Sequence, residues 1–306
     1  LWVNGIKIGT TSVSTLPIGL DRLNFDSFNG GDFMYGKTKA LAVYKTALTD
    51  ANLRSLTYPS AVATTFDLNF NTIADDFTFT RGSDATFVNA QGLIQSTASN
   101  DAPRLDYSTG AEAFLLEPQS TNLVTYSELF SNAAWNKNSV TLESGYLAPD
   151  GTNTAFKVDG NNSFILSTVV TGLVATSTRS IYARTVSGTG TSQLLTHNSN
   201  TDNIFTITEQ WQRFEVSTAN SSFPDYFYAV DFRGSGTLSE IILWGANATN
   251  DQNYATSYIP TSGASATRNQ ELCNNATPVI NSEEGTLYAE ISALANDGTS
   301  RYVAIS

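Results

Sequence analysis

Residues that form disulfides and metal cages are almost missing from this sequence. One cysteine, Cys273, and one histidine, His197, stand among its 306 residues. An internal disulfide is therefore excluded, and so are the thiolate and imidazole clusters that hold zinc. Cys273 is predicted to be a small apolar residue that is buried or half-buried. His197 lies in a polar loop without the pattern of a nucleophile elbow, so we predict no catalytic role for it.

Charge, and positive charge above all, is also scarce. Charged residues make up 14% of the chain, with 16 Lys and Arg against 28 Asp and Glu, for a net charge of −12. Nucleic-acid binding needs clustered Lys and Arg to neutralise phosphates, and no basic stripe occurs. We therefore predict neither nucleic acid nor a membrane surface as a partner, and we interpret the acidity as an aid to solubility.

Long apolar runs are missing too. No run approaches the ~20 residues that cross a bilayer, and no basic segment followed by an apolar one opens the chain. The sequence begins at Leu1 within a hairpin pattern and ends at Ser306 within a strand pattern. We therefore expect it to be a piece of a longer polypeptide.

What the sequence does contain is Ser, Thr, Asn and aromatic residues in short alternating runs, which favour sheets. The clearest runs lie at 66–70, 77–79, 204–207, 211–216, 226–232 and 238–244. Many short strands with frequent turns are typical of a sandwich or jelly roll. One short helix is predicted from Thr49-Asp50 to Leu56, since both residue types favour a helix N-terminus. The predicted fold class is all-β, with tandem antiparallel β-sandwich (jelly-roll) modules joined by short linkers.

Three phrases follow one another along the chain, namely Phe77-Thr-Phe-Thr-Arg-Gly-Ser-Asp-Ala-Thr with Gly92-Leu-Ile, Pro103-Arg-Leu-Asp-Tyr107, and Leu115-Leu-Glu-Pro-Gln-Ser-Thr-Asn-Leu123. Taken in this order, they resemble fibre and structural proteins of bacteriophages, especially phages of Bacteroidetes bacteria. Later phrases resemble a carbohydrate-binding-module-like jelly roll, namely Phe130-Ser-Asn-Ala-Ala-Trp135, Trp211-Gln-Arg-Phe214 and Thr256-Ser-Tyr-Ile-Pro-Thr261.

Leu1-Trp-Val-Asn-Gly5 resembles the C-terminal part of a concanavalin A-like or laminin-G-like sandwich. Gly285-Thr-Leu-Tyr-Ala-Glu290 resembles the N-terminal part of such a sandwich. The resemblance implies four segments cut from a tandem array. They are the C-terminal part of such a sandwich at 1–58, a linker and short-strand collar at 59–121, a jelly roll at 122–268, and the N-terminal part of a further sandwich at 269–306.

The same resemblance implies a function at the surface of a phage particle, outside the cell. It implies a non-catalytic virion fibre segment that binds bacterial surface polysaccharide, contacts other virion proteins and forms a homo-oligomer, a trimer by analogy with other fibres. Two alternatives stay open. One is a purely structural spacer or capsid-decorating module, and the other is the non-catalytic part of a polysaccharide depolymerase.

The acidic residues do not form a catalytic pattern. Glycoside hydrolysis needs two carboxylates about 5–10 Å apart, which on a strand means acids at alternate positions. Glu283 and Glu284 are adjacent, while Glu240 and Glu290 are isolated. We therefore predict no enzyme and no cofactor. A structural calcium stays open, with oxygen ligands at Asp150, Asp159, Asp202 and Asn250-Asp251, although these residues are also ordinary turn formers.

Glycan recognition needs exposed aromatic faces beside polar groups, and alternation selects the candidates. In 180–185, Ile181 and Ala183 are predicted to point inward, which leaves Tyr182 and Arg184 outward. In 226–233, one face carries Tyr226, Tyr228, Val230 and Phe232 and is predicted to be core. The other face supplies three further candidate sugar contacts, Phe227, Asp231 and Arg233. Trp135, Trp211 and Trp244 are interpreted as core residues, since large aromatics usually fill a sandwich.

Overall fold

A computed structural model describes most of the chain. The described residues are 2–3, 6–10, 22–26, 33–44, 46–57, 77–160, 165–174, 176–196, 203–217, 225–233, 235–274, 286–296, 298 and 300–305. The predicted strand at 66–70 and His197 lie outside them.

Strands dominate the described residues, as the all-β prediction requires, and the described part of the chain contains one helix. The elements are β1 (Trp2–Val3), β2 (Ile6–Lys7), β3 (Leu23–Asn24), β4 (Gly36–Tyr44), α1 (Asp50–Thr57), β5 (Thr78–Thr80), β6 (Thr86–Val88), β7 (Ile94–Ser96), β8 (Arg104–Asp106), β9 (Ala113–Leu116), β10 (Ser120–Asn122), β11 (Trp135–Asn138), β12 (Thr141–Tyr146), β13 (Ala155–Asp159), β14 (Ile165–Val169), β15 (Thr178–Arg184), β16 (Gly190–Gln193), β17 (Ile204–Ile207), β18 (Gln212–Val216), β19 (Tyr226–Asp231), β20 (Glu240–Thr249), β21 (Ala266–Arg268), β22 (Leu272–Asn274), β23 (Thr286–Ala293) and β24 (Ala304–Ile305).

The helix α1 forms where the sequence predicts it. The Thr49 hydroxyl accepts a hydrogen bond from the backbone N–H of Asn52 (3.3 Å) and so caps the first turn. Within the described residues no helix is both long and apolar enough to cross a bilayer.

The chain forms two compact units. Unit 1 comprises residues 1–81, 101–117 and 271–306, and unit 2 comprises 82–100 and 118–270. This grouping differs from the predicted four consecutive segments. Residues 1–58 and 269–306 share one sheet, because β23 pairs with β4 in antiparallel register from Thr286 opposite Tyr44 to Ala293 opposite Gly36. The laminin-G-like and collar assignments stay predictions.

Unit 1 has a four-stranded sheet in the order β23-β4-β9-β8 and three two-stranded pairs, β1-β2, β3-β24 and β5-β22. Its main cluster of buried apolar residues comprises Leu23, Phe25, Met34, Leu41, Phe114, Leu116 and Cys273. Cys273 is therefore a buried apolar residue, as predicted, and burial raises the pKa of its thiol.

A buried ionic network also holds unit 1 together. The Glu271 carboxylate accepts hydrogen bonds from Arg81 Nη1 (2.9 Å), Arg104 Nε (2.8 Å) and the backbone N–H of Glu117 (2.8 Å). Arg104 Nη2 also pairs with Glu271 and with the carboxylate of Glu117 (2.8 Å). Burial by itself lowers the pKa of Arg104, but the two carboxylates outweigh it and raise the pKa. Three residues from earlier parts of the chain, Arg81, Arg104 and Glu117, thus meet around the carboxylate of Glu271.

Unit 2 is a β-sandwich of two five-stranded antiparallel sheets. Sheet A has the order β11-β14-β19-β16-β17, and sheet B has the order β12-β13-β20-β15-β18. Residues from both sheets fill the core between them, including Trp135 and Phe227 of sheet A and Val158 and Ile181 of sheet B. The strands predicted at 204–207, 211–216, 226–232 and 238–244 are confirmed as β17 to β20.

A second, smaller core lies on the outer face of sheet B. Ile94 of β7 and Tyr258 pack there against Ile242 and Trp244 of β20. The hairpin β6-β7 is tied to this face by a hydrogen bond from the Thr86 hydroxyl to the carbonyl of Tyr258 (2.5 Å). Part of the outer face of sheet B is therefore enclosed, and the strip along β15 and β18 is less covered.

Candidate functional site

Phe227, one of the five predicted sugar contacts, is a core residue, so that prediction is wrong. Its side chain is 0% exposed and meets Trp135 edge to face at 6.0 Å between ring centroids. The cause is a bulge: Leu166 of β14 faces Val230, but the next residue, Ser167, faces Tyr228. The extra residue, Ala229, reverses the inward–outward alternation along β19. Simple alternation therefore assigns the wrong face to the first half of the strand and the right face to Val230.

The outer face of sheet A carries Tyr226, Tyr228, Asp231 and Arg233, which we call the tyrosine face. The two tyrosine rings are nearly parallel, 5.9 Å apart at an angle of 20°. Arg233 donates to the Asp231 carboxylate from Nε (2.9 Å) and Nη2 (2.8 Å), so this ion pair is bidentate. From sheet B, buried Arg179 donates to the carbonyl of Tyr226 (2.6 Å) and so fixes the start of β19.

The tyrosine face is largely closed to solvent. Tyr228 is 4% exposed and Asp231 is 1% exposed, although both point away from the sandwich core. Burial raises the pKa of Tyr228 to about 12, and burial lowers that of Arg179 to about 10. Tyr226 and Arg233 are half-buried. They are the more exposed side chains of this face.

Tyr182 and Arg184 lie on the outer face of sheet B, as predicted, since they alternate with Ile181 and Ala183, which are fully buried in the core. Arg213 of β18 and Trp211, which immediately precedes that strand, lie on the same face. The Arg213 guanidinium lies over the Tyr182 ring (5.5 Å to the centroid) and the Arg184 guanidinium over the Trp211 ring (5.3 Å). All four side chains are half-buried. We call this group the cation–aromatic strip.

The strand pairing explains how the strip forms. Tyr182 of β15 stands directly opposite Arg213 of β18, and Ala183 stands opposite Gln212. The next position of this ladder brings Arg184 beside Trp211, since residues at alternate positions share a face. On the other side of β15 a second bulge interrupts the pairing with β20, where Ser180 faces Asn247 but Tyr182 faces Trp244. Gly245, which lies in this bulge, has a φ of 67°. A side chain at Gly245 would lie 3.2 Å from the Tyr182 ring, so glycine also makes room for it.

Sequence reasoning missed Trp211 and Arg213 as partners of Tyr182 and Arg184. Trp211 is half-buried and its Nε1 donates to the carbonyl of Leu147 (3.2 Å), so its core assignment holds only in part. Trp135 and Trp244 are buried, as predicted. The alternation of Trp211, Gln212 and Arg213 was the available signal, because it places the first and third residues on one face.

The five predicted contacts do not form one site. Tyr182 and Arg184 lie on the outer face of sheet B, Asp231 and Arg233 on the outer face of sheet A, and Phe227 in the core between them. The first pair lies beside both a half-buried aromatic side chain, that of Trp211, and a half-buried cationic one, that of Arg213.

Two of the candidate calcium ligands, Asp150 and Asp251, accept hydrogen bonds from the protein. Asp150 accepts from the backbone N–H and the hydroxyl of Thr152 (2.9 and 2.7 Å), and Asp251 accepts from the backbone N–H of Thr121 (2.8 Å). In the described part of the chain no three acidic, histidine or cysteine side chains come together as a metal site. Asp202 lies outside that part.

A buried polar group borders the small core of unit 2. Tyr258 donates its hydroxyl proton to Glu128 (2.8 Å) and lies 2.6 Å from the Ser127 hydroxyl. Burial raises the pKa of Glu128, with a smaller contribution from Asp150. The folded protein therefore keeps a proton on Glu128 at pH values where the unfolded chain has lost it, so this group stabilises the fold less as pH rises.

Because the raised pKa of Glu128 makes the fold less stable as pH rises, Glu128→Gln should stabilise the protein at neutral pH. Glutamine keeps the oxygen that accepts from Tyr258 but cannot ionise, so the variant should melt at a higher temperature than the parent protein at neutral pH. The difference should shrink as the pH falls toward 4.5, the ordinary pKa of the group. Melting curves from about pH 4 to about pH 8 measure this. Exposed Glu215→Gln is the control, and a pH-independent difference would contradict the prediction.

Comparison with known proteins gives no family. No family model matches the chain, and no curated protein matches it. A Clostridium thermocellum xylanase 10B structure with CBM22-1 and GH10 modules, complexed with xylohexaose, is 13% identical with a TM-score of 0.28, over 45% of this chain and 29% of that one. A family 11 carbohydrate-binding module from the same organism, in complex with a mixed-linked tetrasaccharide, is 9% identical with a TM-score of 0.23, over 50% and 95%. At these TM-scores the likeness supports no inference about function.

Proposed function

We propose that this chain is a non-catalytic glycan-binding segment of a phage virion fibre, and that its cation–aromatic strip contacts polysaccharide on the bacterial surface. In this proposal the chain lies on the outside of the phage particle, contacts other virion proteins and forms a homo-oligomer. The observation that carries the glycan part is the strip itself, which presents two aromatic rings and two guanidinium groups along two paired strands. Phage origin rests on the resemblance of the sequence phrases.

The chemistry of the strip suits sugars. An aromatic ring offers an apolar face to the C–H side of a pyranose, and a guanidinium offers several N–H donors to its oxygens. Stacking on the rings also orients the two guanidinium groups, so less side-chain freedom is lost when a ligand binds. The strip contains no carboxylate, so it lacks the acid pair of a glycosidase. Its residues are suited to binding.

A single strip of this size would bind weakly. Linked copies of a weak site raise the effective concentration of the next site once the first is occupied. Repetition along a fibre, or oligomerisation, would therefore convert weak contacts into firm attachment. This is the reason that the proposal combines glycan binding with a homo-oligomer.

Enclosure favours a second candidate function, a structural spacer. Trp244 and Tyr258 on the outer face of sheet B are buried under the β6-β7 hairpin, and Tyr228 and Asp231 on sheet A are nearly inaccessible. Aromatic residues used only for packing would look like this. The two functions differ in whether the half-buried aromatics Tyr182 and Trp211 touch a ligand.

A glycan array probed with the whole chain separates the two candidates. We expect reproducible binding to host polysaccharides, weakened about tenfold by Tyr182→Ala or by Trp211→Ala, which corresponds to about 1.4 kcal/mol. Tyr226→Ala, an aromatic on the opposite sheet, is the matched control and should leave binding unchanged. Melting curves show whether each variant is folded, and Trp211→Ala keeps the test decisive if Tyr182→Ala unfolds. Silence across host polysaccharides would favour the spacer.

A further inference from the structure

We infer that the cation–aromatic strip selects anionic polysaccharides, with Arg184 and Arg213 holding the oxyanion of a uronate, sulfate or phosphate group. This inference rests on the proposed glycan-binding function and specifies its ligand class. The observation behind it is that both guanidinium groups lie over aromatic rings and neither is paired with a carboxylate in the described part of the chain.

Arg184 and Arg213 make no ion pair with any carboxylate in the described part of the chain. Some arginines elsewhere in the protein do pair, Arg104 with Glu271 and Glu117, and Arg233 with Asp231. A chain with 28 acidic residues against 16 basic ones has carboxylates to spare. The strip therefore places two partly exposed guanidinium groups close together without a carboxylate on either, and an acidic ligand would supply one.

The hydrogen bonds of Arg184 and Arg213 within the protein use only some of their N–H donors. Arg184 donates from Nη1 to the carbonyl of Thr185 (3.2 Å), and Arg213 donates from Nη2 to the hydroxyl of Ser180 (2.9 Å). The Nε of Arg213 is enclosed, without a hydrogen-bond partner among the described residues, and is closed to a ligand. A guanidinium has five N–H donors, so the remaining Nη hydrogens of each group can bind an oxyanion without releasing its present partner. Both partners are neutral oxygens, which leave the positive charge uncompensated.

The ladder gives the two charges a defined spacing. Tyr182 and Arg213 are directly opposed, so Arg184 and Arg213 lie on a diagonal, where Cβ atoms are roughly 7–8 Å apart. The two aromatic rings, of Tyr182 and Trp211, occupy the other diagonal. A sugar bound across the strip would therefore lie near both guanidinium groups as well as the two rings. Glu215, the next residue on the same face of β18, stands opposite Ser180 and pairs with neither arginine.

The net charge sharpens the expected selectivity. A chain of net charge −12 repels a polyanion over most of its surface. Binding to an acidic polymer therefore needs a local site that overcomes this repulsion. Removing one of the two arginines should consequently affect acidic ligands far more than neutral ones.

The test measures binding of the whole chain to defined polymers by calorimetry. Polygalacturonate supplies carboxylates, dextran sulfate supplies sulfates, and a phosphate-bearing teichoic acid supplies phosphates, while dextran and laminarin are neutral. We expect binding to at least one acidic polymer, weakened tenfold or more by Arg184→Gln and by Arg213→Gln. Lys157→Gln is the matched control, because Lys157 is a cation on β13 of the same sheet, paired with Glu143 (2.9 Å).

Each outcome decides the question. Selective loss in the two arginine variants supports the inference, and the polymer that binds identifies the oxyanion. Equal loss in Lys157→Gln, or no loss in the arginine variants, would overturn it by showing non-specific attraction. Binding to neutral polymers alone, lost on Trp211→Ala, would overturn the inference but leave the proposed glycan-binding function standing. Binding to none of the polymers or host glycans would remove both.

Discussion

Replacing Glu271 by glutamine is expected to lower the free energy of unfolding by about 3–5 kcal/mol, because it leaves two buried guanidinium groups without their shared carboxylate. Arg81 and Arg104 both donate to Glu271, and all three side chains are fully buried. The glutamine amide can accept from one of them but carries no negative charge. The penalty is that of a buried, uncompensated charge, and it falls on unit 1.

Urea denaturation followed by circular dichroism measures this loss, and hydrogen exchange shows where it falls. Glu290→Gln is the control, since it removes an exposed acid from β23 of the same unit. Amides of β8 and β9 should exchange faster in Glu271→Gln, whereas those of the sandwich in unit 2 should keep their protection. A Glu271 variant as stable as the control would show that the network contributes little.

Replacing Phe227 by alanine is expected to cost about 3–5 kcal/mol of stability, the usual range for removing a buried aromatic ring. The ring is fully buried and packs edge to face against Trp135, so its removal leaves a cavity in the core of the sandwich. Any effect on glycan binding should follow the unfolded fraction and vanish at temperatures where the variant is folded.

The neighbouring residue on β19 provides the control for Phe227. Tyr226→Ala removes an aromatic side chain of similar size from the outer face, where it is half-buried, and should cost about 1 kcal/mol or less. Thermal melts of the two variants compare the positions directly. A stable Phe227→Ala variant that loses sugar binding would show that the strand has the opposite phase to that described.

Regular alternation made the fold class predictable from the sequence. Strands β17 to β20 lie where period-two runs occur, and α1 begins at the Thr49-Asp50 cap, since these signals are local. Along β15 the alternation also assigns the faces correctly, with Ile181 inward and Tyr182 outward.

The bulge in β19 could not be predicted in the same way. It depends on the partner strand, where Leu166 and Ser167 face Val230 and Tyr228, and nothing in the sequence of β19 marks Ala229 as the extra residue. The pairing of Arg213 with Tyr182 likewise depends on which strands become neighbours. Contacts between sequence-distant strands are what alternation alone leaves open.

The phrases that resemble phage proteins also have a structural role. Each of the first three supplies one charged member of the buried network, namely Arg81, Arg104 and Glu117. These phrases therefore contribute to the interior of unit 1. In the cation–aromatic strip, Trp211 and Arg213 come from one of the later phrases, whereas Tyr182 and Arg184 lie outside all of them.

The position of Glu271 along the chain has a consequence for synthesis on the ribosome. Unit 1 is discontinuous, and residues 118–270 of unit 2 are translated before Glu271 emerges. Arg81 and Arg104 therefore lack their common counter-ion at a stage when the residues of the sandwich have already been synthesised and can fold. A nascent chain arrested when residue 270 has left the ribosome, but Glu271 has not, should accordingly protect the sandwich from protease and leave β8 and β9 open to cleavage, whereas release of a few dozen more residues should close them.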